Sequence, residues 1–320
     1  MTATADQAAA GQSAAAVESS GLGKRYGRTW ALRDCTLSLP EGRVVALIGP
    51  NGAGKTTFLS LVMGLAEATE GTVLVDGHPA GGPGALARVA FMGQDHPLYK
   101  RFTVADHLRM GYELNAGFDL PWARARLADL DIPLRRPAGR LSGGQQAQVA
   151  LTLALAKRAR VILLDEPVAS LDPIARREVM TVLMTRVAET GATVVFSSHV
   201  VAELERVCDY LVVMSRTQVQ LAGATDDLIA AHARLIGPGR AATGAAGGDG
   251  DVPAGVAAVL ERSASDAQTV LLARLSGPVA DPRWEARPVT VEDIALGYMA
   301  APGERYQPSP RLSVVSGSQS

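Results

Sequence analysis

Gly49-Pro50-Asn51-Gly52-Ala53-Gly54-Lys55-Thr56-Thr57 is the stretch on which the fold turns. It satisfies G-x-x-x-x-G-K-[ST], a loop whose backbone amides cradle a polyphosphate. The flanks agree with that reading. Upstream, Val44-Val45-Ala46-Leu47-Ile48 is an apolar run rich in β-branched residues, which predicts a buried strand. Downstream, residues 56–63 predict a helix ended by Gly64. Strand, glycine loop and helix in that order aim N–H groups and the positive helix end at one anion, at a range that side chains would block. In such a loop Lys55 reaches the β/γ-phosphates and the Thr56 hydroxyl ligates Mg²⁺.

Later segments add chemistry to the cradle. Val161-Ile162-Leu163-Leu164 predicts a strand that delivers Asp165-Glu166-Pro167 to its carboxyl end, the end where an open parallel sheet binds ligands. Asp165 is placed to hold Mg²⁺, directly or through water, and Glu166 to orient and deprotonate an attacking water. Residues 88–92 and 193–196 predict two further strands, followed by Gln94 and by Ser197-Ser198-His199. Gln94 is therefore a candidate Mg²⁺ or water contact, and His199 a candidate γ-phosphate contact. Tyr26 sits near the first strands, where it serves equally as an adenine platform or as a half-buried strand residue. A second glycine segment, Leu141-Ser142-Gly143-Gly144-Gln145, precedes a helical run from Gln145 to Ala156. A helix N-terminus with two exposed glycine amides is an anion site in its own right.

Taken in order, Tyr26, the loop at 49–56, Gln94, Leu141-Ser142-Gly143-Gly144-Gln145, Asp165-Glu166, Ala169-Ser170-Leu171-Asp172 and His199 resemble the ATP-binding subunit of ABC transporters over roughly residues 20–225. The resemblance implies a head-to-tail dimer that sandwiches two ATP molecules. Ser142, Gly143 and Gly144 of one subunit would then contact the ATP held by the other, with Asp172 at the dimer interface. It also implies a second ABC ATPase subunit, identical or not, and a separate transmembrane permease, with this chain peripheral on the cytoplasmic face of the membrane. The family commonly carries a basic residue three positions after the signature glutamine, where this chain has Gln148. Residues 116–140, with Phe118-Asp119-Leu120-Pro121-Trp122 and Ile132-Pro133, are similar to the drug- and antibiotic-exporter branch, so export is the expected direction.

Composition sets outer limits. With 320 residues, 47% of them hydrophobic, the chain can bury a sizeable core. Its net charge of −1 offers no basic footprint for nucleic acid. Cys35 and Cys208, the two cysteines, lack metal-ligand spacing and suit a reducing cytosol. No apolar run approaches the ~18 residues of a membrane span. A soluble ABC-type ATPase acting on nucleic acid or ribosomes is the rival function; its chromosome and repair forms need a long insertion between the two glycine segments, for which there is little room.

The expected architecture is a P-loop α/β fold of ABC-ATPase type with an antiparallel β subdomain, a helical subdomain at about 95–155 and a small C-terminal α+β appendage. The boundaries read from composition are a disordered leader at 1–19, the ATP-binding domain at 20–236, a Gly/Ala-rich flexible linker at 237–256, the appendage at 257–300 and a polar tail at 301–320. No internal repeat is present, so one nucleotide domain is expected per chain. Pro97-Leu98-Tyr99 and Phe102-Thr103-Val104 are candidates for the groove of a membrane partner, with subdomain packing as the alternative.

Overall fold

The computed structural model describes residues 15–168, 171, 173–198, 207–239, 252–301, 303 and 305–307. A hairpin of β1 (Ala15–Tyr26) and β2 (Thr29–Pro40) comes first, then β3 (Val44–Ile48), the glycine loop and α1 (Lys55–Met63). Next come β4 (Glu70–Val75), β5 (His78–Pro79), α2 (Pro83–Arg88) and β6 (Val89–Met92). The helical part holds α3 (Val104–Leu114), α4 (Leu120–Asp129), a 3-10 turn (Ala138–Arg140) and α5 (Gly143–Ala156). The chain returns through β7 (Val161–Asp165), α6 (Pro173–Thr190), β8 (Thr193–Ser198), β9 (Tyr210–Ser215), β10 (Gln218–Ala224) and α7 (Thr225–Ala230). It closes with β11 (His232–Pro238), β12 (Val256–Ala264), β13 (Gln268–Leu275), β14 (Glu285–Arg287) and α8 (Val291–Ala300).

A six-stranded sheet of order β10-β9-β3-β8-β7-β6 organises the molecule, parallel throughout except at its β10 edge. All five residues of β3 are buried. Val44, Ala46 and Ile48 join the core on one face of the sheet, and Val45 and Leu47 join the core on the other. An unbroken apolar run is what a strand covered on both sides requires. Parallel pairing sets Ile48 beside Ser198, Met92 beside Leu164 and Asp165 beside Ser197. The segments after β3, β6, β7 and β8 therefore leave the same sheet edge, which is why the glycine loop, Gln94 and Glu166 converge.

The antiparallel sheet has order β2-β1-β4-β5. Its first strand corrects the expected leader: β1 begins at Ala15, and Ala16, Val17 and Ser19 are buried. These small residues pair with β2 and β4 on either side, so tertiary partners override a composition typical of disorder. The helical part has a core of its own, including Leu108, Phe118, Leu127, Ile132, Leu141 and Val149.

The third sheet has order β12-β13-β11-β14, with α8 against β9, β10, β12 and β13. It moves one expected boundary. Residues 232–236 are expected in the ATP-binding domain and 237–238 in the linker, yet β11 pairs with β13 from Pro238–Gln268 to His232–Arg274 and belongs to the appendage sheet. The tail at 301–320 also differs in part, because Tyr306 bridges Leu221 on the β10 edge. Its N–H donates to Gln220 O at 2.9 Å and its carbonyl accepts from Ala222 N–H at 3.1 Å.

Candidate active site

The glycine loop is shaped by close approaches that side chains would prevent. A Cβ on Gly49 would lie 2.2 Å from the Met214 carbonyl oxygen, and one on Gly54 would lie 2.7 Å from that of Ala31. Gly54 also holds φ +104° and Gly52 φ +80°, in the region that favours glycine. The loop passes directly into α1, whose first residue is Lys55. Lys55 is buried, and its Nζ donates to Gly49 O at 2.6 Å and Pro50 O at 3.3 Å. Burial lowers its pKa, against the opposing pull of Glu166 and Asp165. An ammonium held at the loop mouth is ready to exchange those carbonyls for phosphate oxygens. The cleft here has a volume of about 380 Å³ and is lined by Ala31, Asn51, Gly52, Ala53, Gly54, Lys55, Thr56, Thr57, Gln94 and Glu166.

Asp165 is 1% exposed at the end of β7. Its Oδ1 accepts from Ser197 Oγ at 2.5 Å, while Oδ2 is buried without a hydrogen-bond partner among the described residues. Ser197 in turn accepts the Glu166 N–H at 3.0 Å. Glu166 has φ +50°, an unusual conformation for a non-glycine residue. The conformation turns the chain sharply after β7 and brings Glu166 into the cleft lining. A buried carboxylate oxygen with no donor, beside a cleft that contains the Thr56 hydroxyl and the Gln94 amide, fits a hard divalent cation.

The structure thus brings together the glycine loop, Gln94 and Glu166, with Asp165 directly behind them. Tyr26 is exposed at the end of β1, not half-buried, with Lys24 Nζ 5.0 Å from its ring centroid, and it is not among the cleft residues. His199 and Asp172, as well as Ala169 and Ser170, lie outside the described residues.

The second glycine segment stands apart. Leu141 is buried, but Ser142 and Gly143 are exposed and none of residues 141–145 lines the cleft. Ser142 caps α5 through a reciprocal box: its Oγ accepts from Gln145 N at 3.2 Å, and its own N–H donates to Gln145 Oε1 at 3.1 Å. Among the described residues nothing lies within 4 Å of a Cβ built on Gly143, and only Leu171 Cδ2, at 3.5 Å, approaches one on Gly144. The box orders the first turn of α5 and leaves its glycine face open.

Two residues escaped the sequence analysis. Ser197 is positioned as the link between the two carboxylate residues; a hydroxyl at the ligand end of an otherwise apolar strand was the available signal. Ala31 lines the cleft through β2, and no local pattern announces it.

This arrangement has the fold of the solved ATP-binding cassettes of ABC transporters. Residues 32–169 match the family model ABC_tran, described as ABC transporter. The sulfate/thiosulfate import ATP-binding protein CysA of Mesorhizobium japonicum is 37% identical over 216 residues, covering 64% of this chain and 62% of that protein. CysA 1 of Agrobacterium fabrum is 35% identical over 223 residues, covering 66% and 64%. The chain spans less than two thirds of the length of these relatives. Among solved structures, an ATP-binding subunit of an ABC transporter aligns with TM-score 0.61 at 28% identity, over 66% of this chain and 91% of that one. The cbiO1 protein of Clostridium perfringens, part of the transporter complex cbiONQ, aligns with TM-score 0.57 at 26% identity, over 68% and 91%.

The expected likeness to the exporter branch gains no support, because these curated relatives are named as import proteins. The residues behind that expectation have local duties. Phe118 is in the helical core, Asp119 accepts from Trp122 N–H and from Arg186 Nη2, and Trp122 stacks under Arg186 at 4.5 Å. Packing in the helical core and contacts with Arg186 of α6 engage Phe118, Asp119 and Trp122 without reference to transport direction.

Proposed function

We propose that the chain is the ATPase subunit of an ABC transporter, working at the cytoplasmic face of a membrane with separate membrane-spanning subunits and a second ATPase subunit. One observation carries the reading: the capped Ser142-Gly143-Gly144 face is open among the described residues, yet takes no part in lining the cleft that its own chain builds. Two copies head to tail would set each open face over the other's glycine loop and so complete two sites. Among the described residues no helix is long and apolar enough to cross a membrane, in keeping with a permease on other chains. Relatives named as import proteins favour uptake over export.

In this reading Mg²⁺ is held by Thr56, Gln94 and Asp165, and supplies charge neutralisation on the phosphate oxygens. Lys55 and the loop amides orient the phosphates, and Glu166 takes the proton of the attacking water. Ser197 keeps Asp165 and the Glu166 backbone in place. The γ-phosphate contact of His199 and the interface position of Asp172 belong to the same proposal, as does an adenine contact from Tyr26. Tyr99 and Phe102, both exposed and 5.1 Å apart between ring centroids, lie shortly after Gln94 and offer an apolar face to the permease.

The test is co-expression of the full chain with the membrane protein encoded beside it. Recovery of both in the membrane fraction, with ATP hydrolysis altered by transported solute, is the expected result. A chain that stays out of the membrane fraction and hydrolyses ATP independently of that protein overturns the transporter reading.

A further inference from the structure

Gln148 stands three residues beyond Gln145, on the buried side of α5, where the ABC resemblance implies a basic residue. Its side chain is 7% exposed, and its Oε1 accepts from Arg126 Nη2 of α4 at 2.7 Å. Its carbonyl accepts from Thr152 Oγ1, also at 2.7 Å. Arg126 itself is 9% exposed, flanked on α4 by the core residues Ala123 and Leu127. Its Nε has no hydrogen-bond partner among the described residues. Burial opposes its charge, while Glu178 of α6 and Asp129 favour it.

We infer that Arg126 is the positioning residue of the signature helix: through Gln148 it fixes the seating of α5 and returns to its first two turns the positive charge that position 148 lacks. As a contribution to stability alone the pair is a poor choice. A guanidinium this buried, whose hydrogen bond among the described residues goes to a neutral amide and whose Nε is unsatisfied, costs more desolvation than apolar residues of similar volume would, even with Glu178 and Asp129 near enough to favour its charge. What it does supply is direction and charge. The amide-to-guanidinium bond has one good geometry, so it sets the angle at which α5 leaves α4. Its charge meets α5 at Gln148, in the second turn of the helix, and adds to the positive potential of a terminus that begins at Gly143 and Gly144, with Glu178 and Asp129 offsetting part of it. Neither residue touches the chain's own cleft, so the effect is felt where the helix end meets nucleotide held by another copy.

This inference rests on the proposed completion of the site by a second copy, and the test separates the two. Full chains carrying Arg126→Met, Gln148→Arg or both Arg126→Gln and Gln148→Arg are compared with the parent for kcat, KM for ATP and thermal midpoint. Removing the buried charge should lower kcat on the order of tenfold, with KM unchanged because the glycine loop is intact. The exchange of the two side chains should restore most of the loss, since the charge then sits on α5 itself. Mixing Arg126→Met with Lys55→Ala chains should give more activity than the two proteins assayed apart, because one composite site has both halves intact. Parental kcat in Arg126→Met, or an exchange variant that folds and is no faster than the single variants, overturns the inference. If the Arg126→Met chain does not fold, the exchange variant decides. A mixing gain with Ser142→Arg chains but none with Arg126→Met chains would leave the two-copy site standing and remove Arg126 from it.

Discussion

Ser197 donates its hydroxyl to Asp165 Oδ1 at 2.5 Å across the parallel β7–β8 pair, at the level of the sheet edge where the nucleotide cleft opens. Ser197 Oγ also accepts the Glu166 N–H, at 3.0 Å. One hydroxyl on a neighbouring strand thus orients the residue expected to hold the cation and the backbone of the residue expected to act as base. This also accounts for the left-handed backbone at Glu166, φ +50°: the bond to Ser197 helps hold the chain in its sharp turn.

Replacing Ser197 by alanine should therefore impair the reaction more than the binding. Asp165 Oδ1 would lose its donor in a buried setting, and the Glu166 turn would lose its tether. The expected result is a fall in kcat of roughly tenfold with a small change in KM for ATP, read by steady-state hydrolysis. Ser197→Thr keeps the hydroxyl and should recover much of the rate. Equal loss in both variants would assign the effect to packing in β8.

Glu166→Gln keeps the size of the side chain and removes its basicity. Loss of a positioned general base costs about 10²–10⁴ in rate, so hydrolysis should drop by that order while a fluorescent ATP analogue still binds. Lys55→Ala should fail earlier, at binding or at placement of the phosphates. Near-parental turnover by the Glu166→Gln chain would remove Glu166 from the base role.

The contrast between these residues and Ser197 shows where sequence reasoning succeeds. Val44–Ile48 and Val161–Asp165 are buried on both faces, so an unbroken apolar run followed by glycine or acid was enough to locate them. The helix after the loop starts at Lys55, one residue before its expected start, and ends at Gly64, whose φ of +77° and N–H bond to Leu61 O close the last turn. Pairings between distant segments were not legible. The first five residues of β1, Ala15 to Ser19, were hidden in an Ala/Ser-rich stretch because the partners that make them a strand lie on β2 and β4. β11 was not legible as a strand because β13, which pairs with it and makes it part of the appendage, follows the Gly/Ala-rich stretch. Arg126 and Gln148 are 22 residues apart and on different helices, so Gln148 registers in the sequence only as a departure.

Cys35 gives a prediction for alkaline pH. The thiol is buried in the core below the β1–β2 hairpin, and burial pushes its pKa up to about 12 from 9.0, with the Ser19 hydroxyl partly offsetting the shift. Between those values the unfolded chain loses a proton that the folded chain retains. Stability from this group is thus complete below pH 9 and falls as pH rises toward 12, at up to ~1.4 kcal/mol per pH unit. Cys35→Ala should flatten the decline of the thermal midpoint over that range relative to the parent, whatever its offset at neutral pH. Parallel curves for the two proteins would show that Cys35 does not titrate on unfolding.

Ser142→Arg tests the division of the site between copies. Ser142 is exposed and does not line its own cleft, so a long cation there should leave Lys55, Asp165 and Glu166 of the same chain untouched. On the proposed two-copy arrangement it would nevertheless obstruct the face offered to the other copy's nucleotide, and it would remove the cap of α5, which alone costs on the order of 1 kcal/mol. Hydrolysis should be abolished although ATP still binds. In an equimolar mixture with Lys55→Ala, half of the randomly formed pairs join an intact glycine loop from one chain to an intact signature from the other, so activity should reappear. Ser142→Ala isolates the cap: it should lower the thermal midpoint slightly and retain hydrolysis. A mixture no more active than its separate components, at concentrations where the parent is active, would mean that each chain completes its own site.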